Sequence, residues 1–416
     1  MLSATWLIKG FREFTQQGFQ RASKQFQPLP DKTTDTFLIT GADQGIGITT
    51  AEQLYRRGAT VHLVCSSLDL ANDVREKILL FSVQNSDPND NKNTGKLFTH
   101  EVEFSNLKNL NVFVENITEK YGKIDVLINN MGCMIHGSHR DIVARSTTFF
   151  KKTKKLKHRT DAEAWSGTSD RIEINYSVNV LAPFFLTKSF LSLKPEFIPS
   201  KVITISSSGM YTQKLNPDQC GLDETYPRDA TALYAQTKRQ QVTFMQELAE
   251  IHSGTTHFSS THSGWTDFDS PTISKIPNHN NSQNSQNLSP DTTITPTQTL
   301  QTQILQNSPS PPTSSINSVP PVNSTEKVQH SKNNNVPAYH QKKMTGKWRS
   351  PEQGADTVVW LALNSSEHTS KMPNGKLWFD RKQTSSYLTF DFTSRSSKRK
   401  DALMSNLDGF YKKFNS

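Results

Sequence analysis

The stretch "TFLITGADQGIGITTAEQLYRRG", from Thr36 to Gly58, decides the fold. A short apolar run ends at Thr40, and a glycine-rich turn then leads into a stretch with the composition of a helix. The glycines of this turn are Gly41, Gly45 and Gly47. Glycine lets a ligand approach the backbone closely, and the start of a helix adds N–H groups and the positive end of the helix dipole. The turn is therefore suited to a pyrophosphate, although its spacing differs from G-x-G-x-x-G and the glycines alone leave a tight turn without ligand open.

The pattern of short apolar runs continues beyond this stretch and predicts more strands. The predicted strands are Thr36–Thr40, Thr60–Cys65, Leu97–Phe104, Ile124–Asn130 and Lys201–Ser206. Between them lie helical segments such as "GITTAEQLYRRG" and "LKNLNVFVENITEKYG", each ending at a glycine suited to a C-cap. The pattern resumes at "SPEQGADTVVWLAL" and "GKLWFD". Alternation of this kind predicts an α/β fold with a doubly wound parallel sheet and flanking helices.

The composition indicates that part of the chain is not packed. Only 33% of the 416 residues are hydrophobic, against ~45–50% in a typical globular domain. We predict a basic insert at 136–170 and a low-complexity, disordered insert at 271–343, which is rich in Asn, Ser, Thr, Gln and Pro. The predicted organisation is an N-terminal amphipathic helical segment (1–30), a domain formed by 36–270 and 344–390, the two inserts, and a C-terminal basic tail (391–416).

The N-terminal segment has apolar side chains at roughly helical intervals. They are Trp6, Leu7, Phe11, Phe14 and Phe19, and the one acid among the neighbouring basic residues is Glu13. We interpret the segment as a helix that packs against its own protein. Peripheral membrane contact by this helix, and a mitochondrial address, stay open as alternatives.

Charge and cysteine content exclude some classes of function. The formal charge of +9 is concentrated in runs such as "FFKKTKKLKHR" and "SRSSKRKD", without the interleaved aromatics of a nucleic-acid module, so we expect no nucleic-acid partner. The three cysteines are widely separated and lack metal spacing, which predicts a reducing compartment and no metal site. We find no secretory or membrane-spanning pattern and expect a cytoplasmic protein, with a mitochondrial or membrane-associated one as the alternative.

The stretch "ALYAQTKRQQ" places Tyr234 one helical turn ahead of Lys238. The two side chains would lie side by side on one helix face. A free tyrosine titrates near pH ~10, and a neighbouring cation favours the phenolate, so the spacing predicts a tyrosine made acidic by a lysine. Such a pair alone is more often an incidental feature of a helix surface. Other motifs in the chain are needed to show whether this pair is catalytic.

The motifs taken together resemble the short-chain dehydrogenase/reductase family. The family's TGxxxGxG is matched by Thr40, Gly41, Gly45 and Gly47, its NNAG by Asn129, Asn130, Met131 and Gly132, its helix asparagine by Asn179, its catalytic serine by Ser207, and its YxxxK by Tyr234 and Lys238. These matches follow the family's order and fall at the expected strand and helix ends, and they cover about 36–264 and 350–380. The resemblance implies a Rossmann-type fold.

The resemblance also implies an enzyme that transfers a hydride between nicotinamide and a carbonyl or alcohol. The implied catalytic residues are Asn179, Ser207, Tyr234 and Lys238. Tyr234 would exchange the proton on the substrate oxygen, Ser207 would hydrogen-bond that oxygen, and Asn179 would hold a water in a relay to Lys238. The implied cofactor-binding residues are Thr40, Gly41, Gln44, Gly45, Ile46, Gly47, Ser66, Ser67, Glu103, Asn130, Gly132, Tyr234 and Lys238. A small hydrophobic carbonyl or alcohol is the expected substrate.

Several positions depart from the family pattern. Ser66 stands where an arginine would hold the 2′-phosphate of NADP, and no aspartate is present there for NAD; the hydroxyls of Ser66 and Ser67 favour NADP(H) weakly over NAD(H). Glu103 replaces an aspartate near the adenine. Met131, Ser263 and Phe268 stand in place of an alanine, a proline and a threonine. These departures keep open a degenerate relative that binds nucleotide or a protein partner without turnover.

A homodimer is the other partner that the resemblance implies. The long helix after Tyr234 has an apolar edge, formed by Val242, Phe244, Met245 and Leu248. In relatives this helix supplies a dimer surface. Packing within the chain is the alternative for these side chains.

Overall fold

Eight strands form one sheet in the part of the chain that the computed structural model describes, which is residues 2–31, 33–84, 95–134, 172–218, 230–267, 348–388 and 396–415. The chain divides into two units, Met1–Ile276 with Met344–Ser416, and Pro277–Lys343, and every described residue belongs to the first. The predicted inserts at 136–170 and 271–343 lie outside the described residues, as do Phe268 and Cys220.

The sheet has the strand order β3-β2-β1-β4-β5-β6-β7-β8. The strands are β1 (Thr36–Thr40), β2 (Thr60–Cys65), β3 (Lys96–Glu101), β4 (Val126–Asn129), β5 (Lys201–Ser206), β6 (His257–His262), β7 (Lys376–Phe379) and β8 (Lys382–Thr384). All neighbouring strands pair in parallel except β8, which runs antiparallel to β7. The order reverses direction at β1 and β4, and open sheets of this kind bind ligands beyond the carboxyl ends of the strands at that point.

Helices cover both faces of the sheet. They are α1 (Leu2–Lys9), α2 (Gln16–Ser23), α3 (Gly45–Tyr55), α4 (Leu68–Gln84), α5 (Lys108–Tyr121), α6 (Ile174–Tyr176), α7 (Ala182–Leu191), α8 (Ala230–Ile251), α9 (Pro351–Leu363), α10 (Ser366–Ser370) and α11 (Ser397–Asn415). Segments Gly10–Phe14 and Ser177–Leu181 are π-helical, and Pro195–Phe197 and Ser208–Thr212 are 3₁₀ turns.

Two apolar clusters fill the space between the sheet and its helices. One contains side chains of α3, α4 and α9, such as Ile48 and Val359. The other contains side chains of α5, α7, α8 and α11, such as Leu110 and Phe184. Burial on both faces explains the nearly continuous apolar runs of the central strands. The predicted doubly wound, Rossmann-type fold is therefore confirmed.

The C-terminal residues differ from the predicted basic tail. Residues Ser397–Asn415 form α11, and Leu403, Leu407 and Phe414 are buried in the cluster that contains α8. Lys400 forms an ion pair with Glu247 on α8. The charged run "SKRKD" gives no sign of the helix, which is shown by the apolar side chains that follow it at helical spacing.

The four side chains that we considered for a dimer surface lie inside the chain itself. Val242, Phe244, Met245 and Leu248 are each at most 1% exposed. Packing within the chain therefore accounts for the apolar edge of α8, and these side chains offer no surface to a partner. The homodimer itself stays a prediction.

The N-terminal segment packs against the body of the protein, as predicted. Phe14 is fully buried in a third cluster with Met210, Tyr211 and Phe379. On the outer side of the segment Leu7, Ile8 and Phe11 are 39%, 71% and 54% exposed, and no helix among the described residues is long and apolar enough to cross a membrane.

Candidate active site

The glycine turn after β1 is built so tightly that side chains are excluded from it. Gly41 and Gly45 have φ angles of 63° and 53°, in the left-handed region that favours glycine. A Cβ on Gly47 would lie 2.2 Å from the Gly41 carbonyl oxygen. Because α3 begins at Gly45, the turn presents the first N–H groups of a helix at the carboxyl edge of the sheet. This cradle fits a pyrophosphate.

Asn130 ties the end of β4 to this turn. Its side-chain amide donates to the carbonyl oxygens of Thr40 and Gly41, at 2.9 and 2.6 Å. The Thr40 hydroxyl in turn accepts the backbone N–H groups of Asn130 and Met131, at 3.1 and 3.0 Å. Thr40 and Asn130 therefore hold the cradle in shape, and their contact with the cofactor stays a prediction. Met131 lies against it, since its Sδ is 3.0 Å from the position of a Cβ on Gly41.

The remaining residues predicted to bind the nucleotide lie around the same edge. Gln44 immediately precedes α3 and is exposed. Ile46 lies in the first turn of α3 and is buried. Ser66 and Ser67 follow β2 and are half-buried. The Ser67 hydroxyl accepts the N–H of Leu70 at 3.3 Å and keeps its own proton to donate.

Glu103 follows β3 and is engaged in its own turn. One carboxylate oxygen accepts the backbone N–H and the hydroxyl of Ser105, at 3.2 and 2.6 Å. These bonds fix the direction of the carboxylate and shape the loop between β3 and α5. Glu103 thus has a local structural role, and its contact near the adenine stays a prediction.

Asn179 holds the loop after β4 in place. It lies in the π-helical segment Ser177–Leu181, and such segments are frequent at functional sites. Its side-chain amide donates to the Cys133 carbonyl at 2.8 Å, and its side-chain oxygen accepts the Cys133 N–H at 2.8 Å. The amide also donates to the Thr237 hydroxyl at 3.1 Å, which connects this loop to α8.

Lys238 lies against the same loop. A Cβ on Gly132 would be 3.0 Å from Lys238 Nζ and 3.4 Å from the Asn179 side-chain oxygen. Lys238 Nζ donates to the Ile205 carbonyl on β5 at 2.9 Å, and the Ser206 hydroxyl donates to the Lys238 carbonyl at 2.8 Å. Gly132 therefore keeps open the space through which Lys238 reaches the end of β5.

Tyr234 completes the group of predicted catalytic side chains. Its phenol is hydrogen-bonded to the Ser207 hydroxyl, and Lys238 Nζ lies 5.6 Å from the centre of its ring. The fold therefore brings Ser207 from the end of β5 together with Tyr234 and Lys238 from α8, beside Asn179. All four predicted catalytic residues lie at the carboxyl edge of the sheet.

The direction of the tyrosine pKa differs from the one that the Tyr-Lys spacing predicts. Burial raises the pKa of Tyr234 to about 12, and the hydrogen bond from Ser207 offsets only part of this rise. Burial also lowers the pKa of Lys238 to about 8. In the protein alone, loss of water around the phenolate outweighs the hydrogen bond with Ser207, so Tyr234 stays protonated at neutral pH.

Cys133 and Thr237 are site residues that the sequence analysis missed. Burial raises the pKa of the Cys133 thiol to about 12, and the thiol donates to the Asn175 side chain at 3.5 Å. Both residues bond Asn179 directly. A sequence signal exists only for Thr237, which lies inside the tyrosine–lysine motif. Among the described residues, no group of three or more His, Cys, Asp or Glu side chains is placed to hold a metal ion.

Comparison with known proteins places this arrangement in a family. The model for the short chain dehydrogenase family matches residues 35–216. The human protein named dehydrogenase/reductase SDR family member 12 is 30% identical over 412 residues, 98% of this chain and 96% of its own length. The bovine protein of that name is 29% identical over 418 residues, 99% of this chain and 98% of its own. Human retinol dehydrogenase 13 is 28% identical over 54% of this chain and 57% of its own.

A solved structure extends the comparison to the fold. The crystal structure of an uncharacterised protein from Mycobacterium paratuberculosis aligns with a TM-score of 0.52 and 16% identity, over 92% of this chain and 96% of that one. At this identity the likeness concerns the fold alone. The near full-length match to the human relative decides the family: this chain belongs to the short-chain dehydrogenase/reductase family and is an NAD(P)-dependent oxidoreductase.

Proposed function

We propose that this chain reduces a hydrophobic carbonyl compound, or oxidises the corresponding alcohol, with Tyr234 as the proton donor or acceptor. The observation that carries the proposal is the contact of the Tyr234 phenol with the Ser207 hydroxyl, with Lys238 beside the ring, at the edge that bears the glycine cradle. When bound, the nicotinamide supplies or accepts the hydride. The side chains named here bind, orient and protonate the substrate oxygen.

The protonated state of Tyr234 supports its role as a general acid. With a pKa raised to about 12 by burial, the phenol carries its proton at neutral pH and donates it to a carbonyl oxygen during reduction. We assign to the Ser207 hydroxyl the hydrogen bond to the same oxygen. Oxidation of an alcohol requires the phenolate, so its rate should rise with pH as the proton leaves Tyr234.

Lys238 and Asn179 act behind the tyrosine in this proposal. The ammonium group of Lys238, 5.6 Å from the ring centre, favours the phenolate as it forms. Asn179 uses both ends of its side-chain amide on the Cys133 backbone, and its own carbonyl accepts Gln241 Nε2 at 2.6 Å. These bonds support a positioning role for Asn179, beside or in place of the water relay that the family resemblance implies.

NADP(H) is the cofactor form that we propose. The half-buried hydroxyls of Ser66 and Ser67 follow β2, where the 2′ position of the cofactor would lie, and neither repels a phosphate. An apolar substrate is supported by relatives whose names specify retinol dehydrogenase activity. Contact with a membrane surface, a homodimer and the cellular compartment stay predictions.

Purified protein titrated with NADPH and NADH tests this function. We expect NADPH to bind more tightly, and its absorbance at 340 nm to fall when an apolar aldehyde or ketone from a panel is added, with the alcohol detected by mass spectrometry. Binding of both cofactors without oxidation across the panel would favour a nucleotide-binding relative without turnover. Tighter binding of NADH would contradict the NADP(H) proposal alone.

Met131→Ala is expected to strengthen cofactor binding. The Met131 thioether occupies space next to Gly41, and a side chain that crowds a ligand costs on the order of 1–3 kcal/mol. We expect the Kd for NADPH, measured by fluorescence titration, to fall roughly tenfold. Met404→Ala on α11 is the matched control and should leave the Kd unchanged. Weaker binding by Met131→Ala would mean that the thioether contacts the cofactor favourably.

A further inference from the structure

The N-terminal segment is bonded directly to the turn that follows the catalytic serine. The indole N–H of Trp6 donates to the Ser208 carbonyl oxygen at 2.8 Å, a contact between residues 202 positions apart in the chain. Ser208 is buried and immediately follows Ser207. No motif of the sequence connects Trp6 with the active site, and the contact exists only because the segment folds back across the edge of the sheet.

The turn that Trp6 contacts determines the direction of the Ser207 hydroxyl. Ser207 is the N-cap of the 3₁₀ turn Ser208–Thr212, and its hydroxyl accepts the Gly209 N–H at 3.2 Å. The Ser207 carbonyl accepts the Met210 N–H at 3.0 Å. The same hydroxyl bonds the Tyr234 phenol. A shift of this turn would therefore move the hydroxyl relative to the phenol.

The segment that carries Trp6 is itself held firmly. The Phe14 carbonyl accepts the Trp265 N–H at 2.9 Å, and the Arg349 guanidinium donates to the carbonyls of Glu13 and Phe14 at 2.7 and 3.1 Å. Trp6 packs edge-on against Trp265, with ring centres 5.6 Å apart. The indole is therefore fixed relative to the sheet and can restrain the turn.

We propose that Trp6 is a positioning residue of the active site, which holds the Ser208 backbone so that the Ser207 hydroxyl stays directed at Tyr234 and the substrate oxygen. The inference rests on the proposed function, because it assigns Ser207 a role in the reaction. It makes the N-terminal segment a part of the catalytic unit. Positioned groups of this kind affect the chemical step more than cofactor binding.

Trp6→Phe tests the proposal because it keeps an aromatic ring but removes the donor. We expect kcat for carbonyl reduction to fall roughly fivefold to tenfold, as for loss of one hydrogen bond, while the Kd for NADPH stays within about twofold. In the same variant the amides of Gly209 and Met210 should exchange with deuterium faster than in the wild type. Trp360→Phe, a half-buried indole on α9, is the matched control and should change neither quantity.

The outcomes separate this inference from the proposed function. Unchanged kcat and unchanged exchange in Trp6→Phe would overturn the positioning role, even with a fully active wild type. A wild type without turnover would contradict the proposed function, and exchange would then still report whether Trp6 restrains the turn. A change of kcat with a matching rise in the Kd for NADPH would also overturn the inference, since it would indicate a general loosening of the fold.

Discussion

Tyr234→Phe is expected to remove nearly all carbonyl reduction while leaving the cofactor affinity almost intact. The substitution deletes one oxygen atom, the one hydrogen-bonded to Ser207, and keeps the ring that lies beside Lys238. General acid catalysis by a positioned side chain typically contributes ~10²–10⁴-fold to a rate, and we expect a loss of kcat in this range. The Kd for NADPH should change by less than about twofold, because the glycine cradle is untouched.

Tyr121→Phe is the matched control for this experiment. Tyr121 packs against His62 and Phe98, at the end of α5. Removal of the Tyr121 hydroxyl should leave kcat and the Kd for NADPH unchanged. If Tyr234→Phe retained full activity, the assignment of the proton donor would be wrong, and a proton would have to reach the substrate oxygen from another group.

The pH dependence of the wild-type rates tests the same assignment of Tyr234 as the proton donor or acceptor. Because burial raises the pKa of Tyr234 to about 12, the phenol is the dominant form throughout the neutral range, and reduction should proceed there without an acidic optimum. The phenolate needed for alcohol oxidation becomes more abundant with each unit of pH below that value. We therefore expect the oxidation rate of the wild type to rise with pH, and this rise to be absent in Tyr234→Phe.

The sequence predicts the strands best where apolar residues cluster. The bounds of β1, β2 and β5 agree with the predicted ones, because these strands are buried on both faces. The sequence "HFSSTH" of β6 gives no such signal, since its buried side chains are mostly polar. The sequence does not predict β8 either. The turn from β7 to β8 has Asp380 and Arg381 at φ angles of 50° and 56°, where glycine would have signalled a turn.

The active site was predictable where it depends on short-range spacing. The glycine turn, the tyrosine–lysine pair and Ser207 each lie at the end of a strand or along one helix. The bond from Trp6 to Ser208 joins distant residues, and no periodicity reports it. For Tyr234, spacing reveals the neighbouring charge of Lys238 but not the burial that raises the phenol's pKa in the protein alone.

Asp380→Asn is expected to destabilise the protein by about 3 kcal/mol or more, because it removes one partner of a buried ion pair. Arg349 is 2% exposed, and its guanidinium bonds both carboxylate oxygens of Asp380, at 2.6 and 2.9 Å. An arginine stays charged at any ordinary pH, so in the variant Arg349 would remain a buried charge without its carboxylate partner. Asparagine tolerates the left-handed backbone of position 380, which has a φ angle of 50°, so the change tests charge and not strain. Urea unfolding measures the effect.

Asp408→Asn is the matched control. Asp408 pairs with Lys188 at 3.3 Å, with side chains 41% and 27% exposed, and such a surface pair is worth less than about 1 kcal/mol. Equal losses in Asp380→Asn and Asp408→Asn would mean that burial of the Arg349 pair does not matter.

A double variant identifies the origin of the loss. Burial raises the pKa of Asp380 even though Arg349 opposes this rise, so the carboxylate is costly to keep charged without its partner. Arg349→Met combined with Asp380→Asn removes both charges and should be less destabilised than the sum of the two single variants. The remaining loss would then measure the bonds from Arg349 to the Glu13 and Phe14 carbonyls, which hold the segment that carries Trp6. If the two losses simply added, Arg349 and Asp380 would have no coupling energy, and the ion pair would not be the origin of the loss.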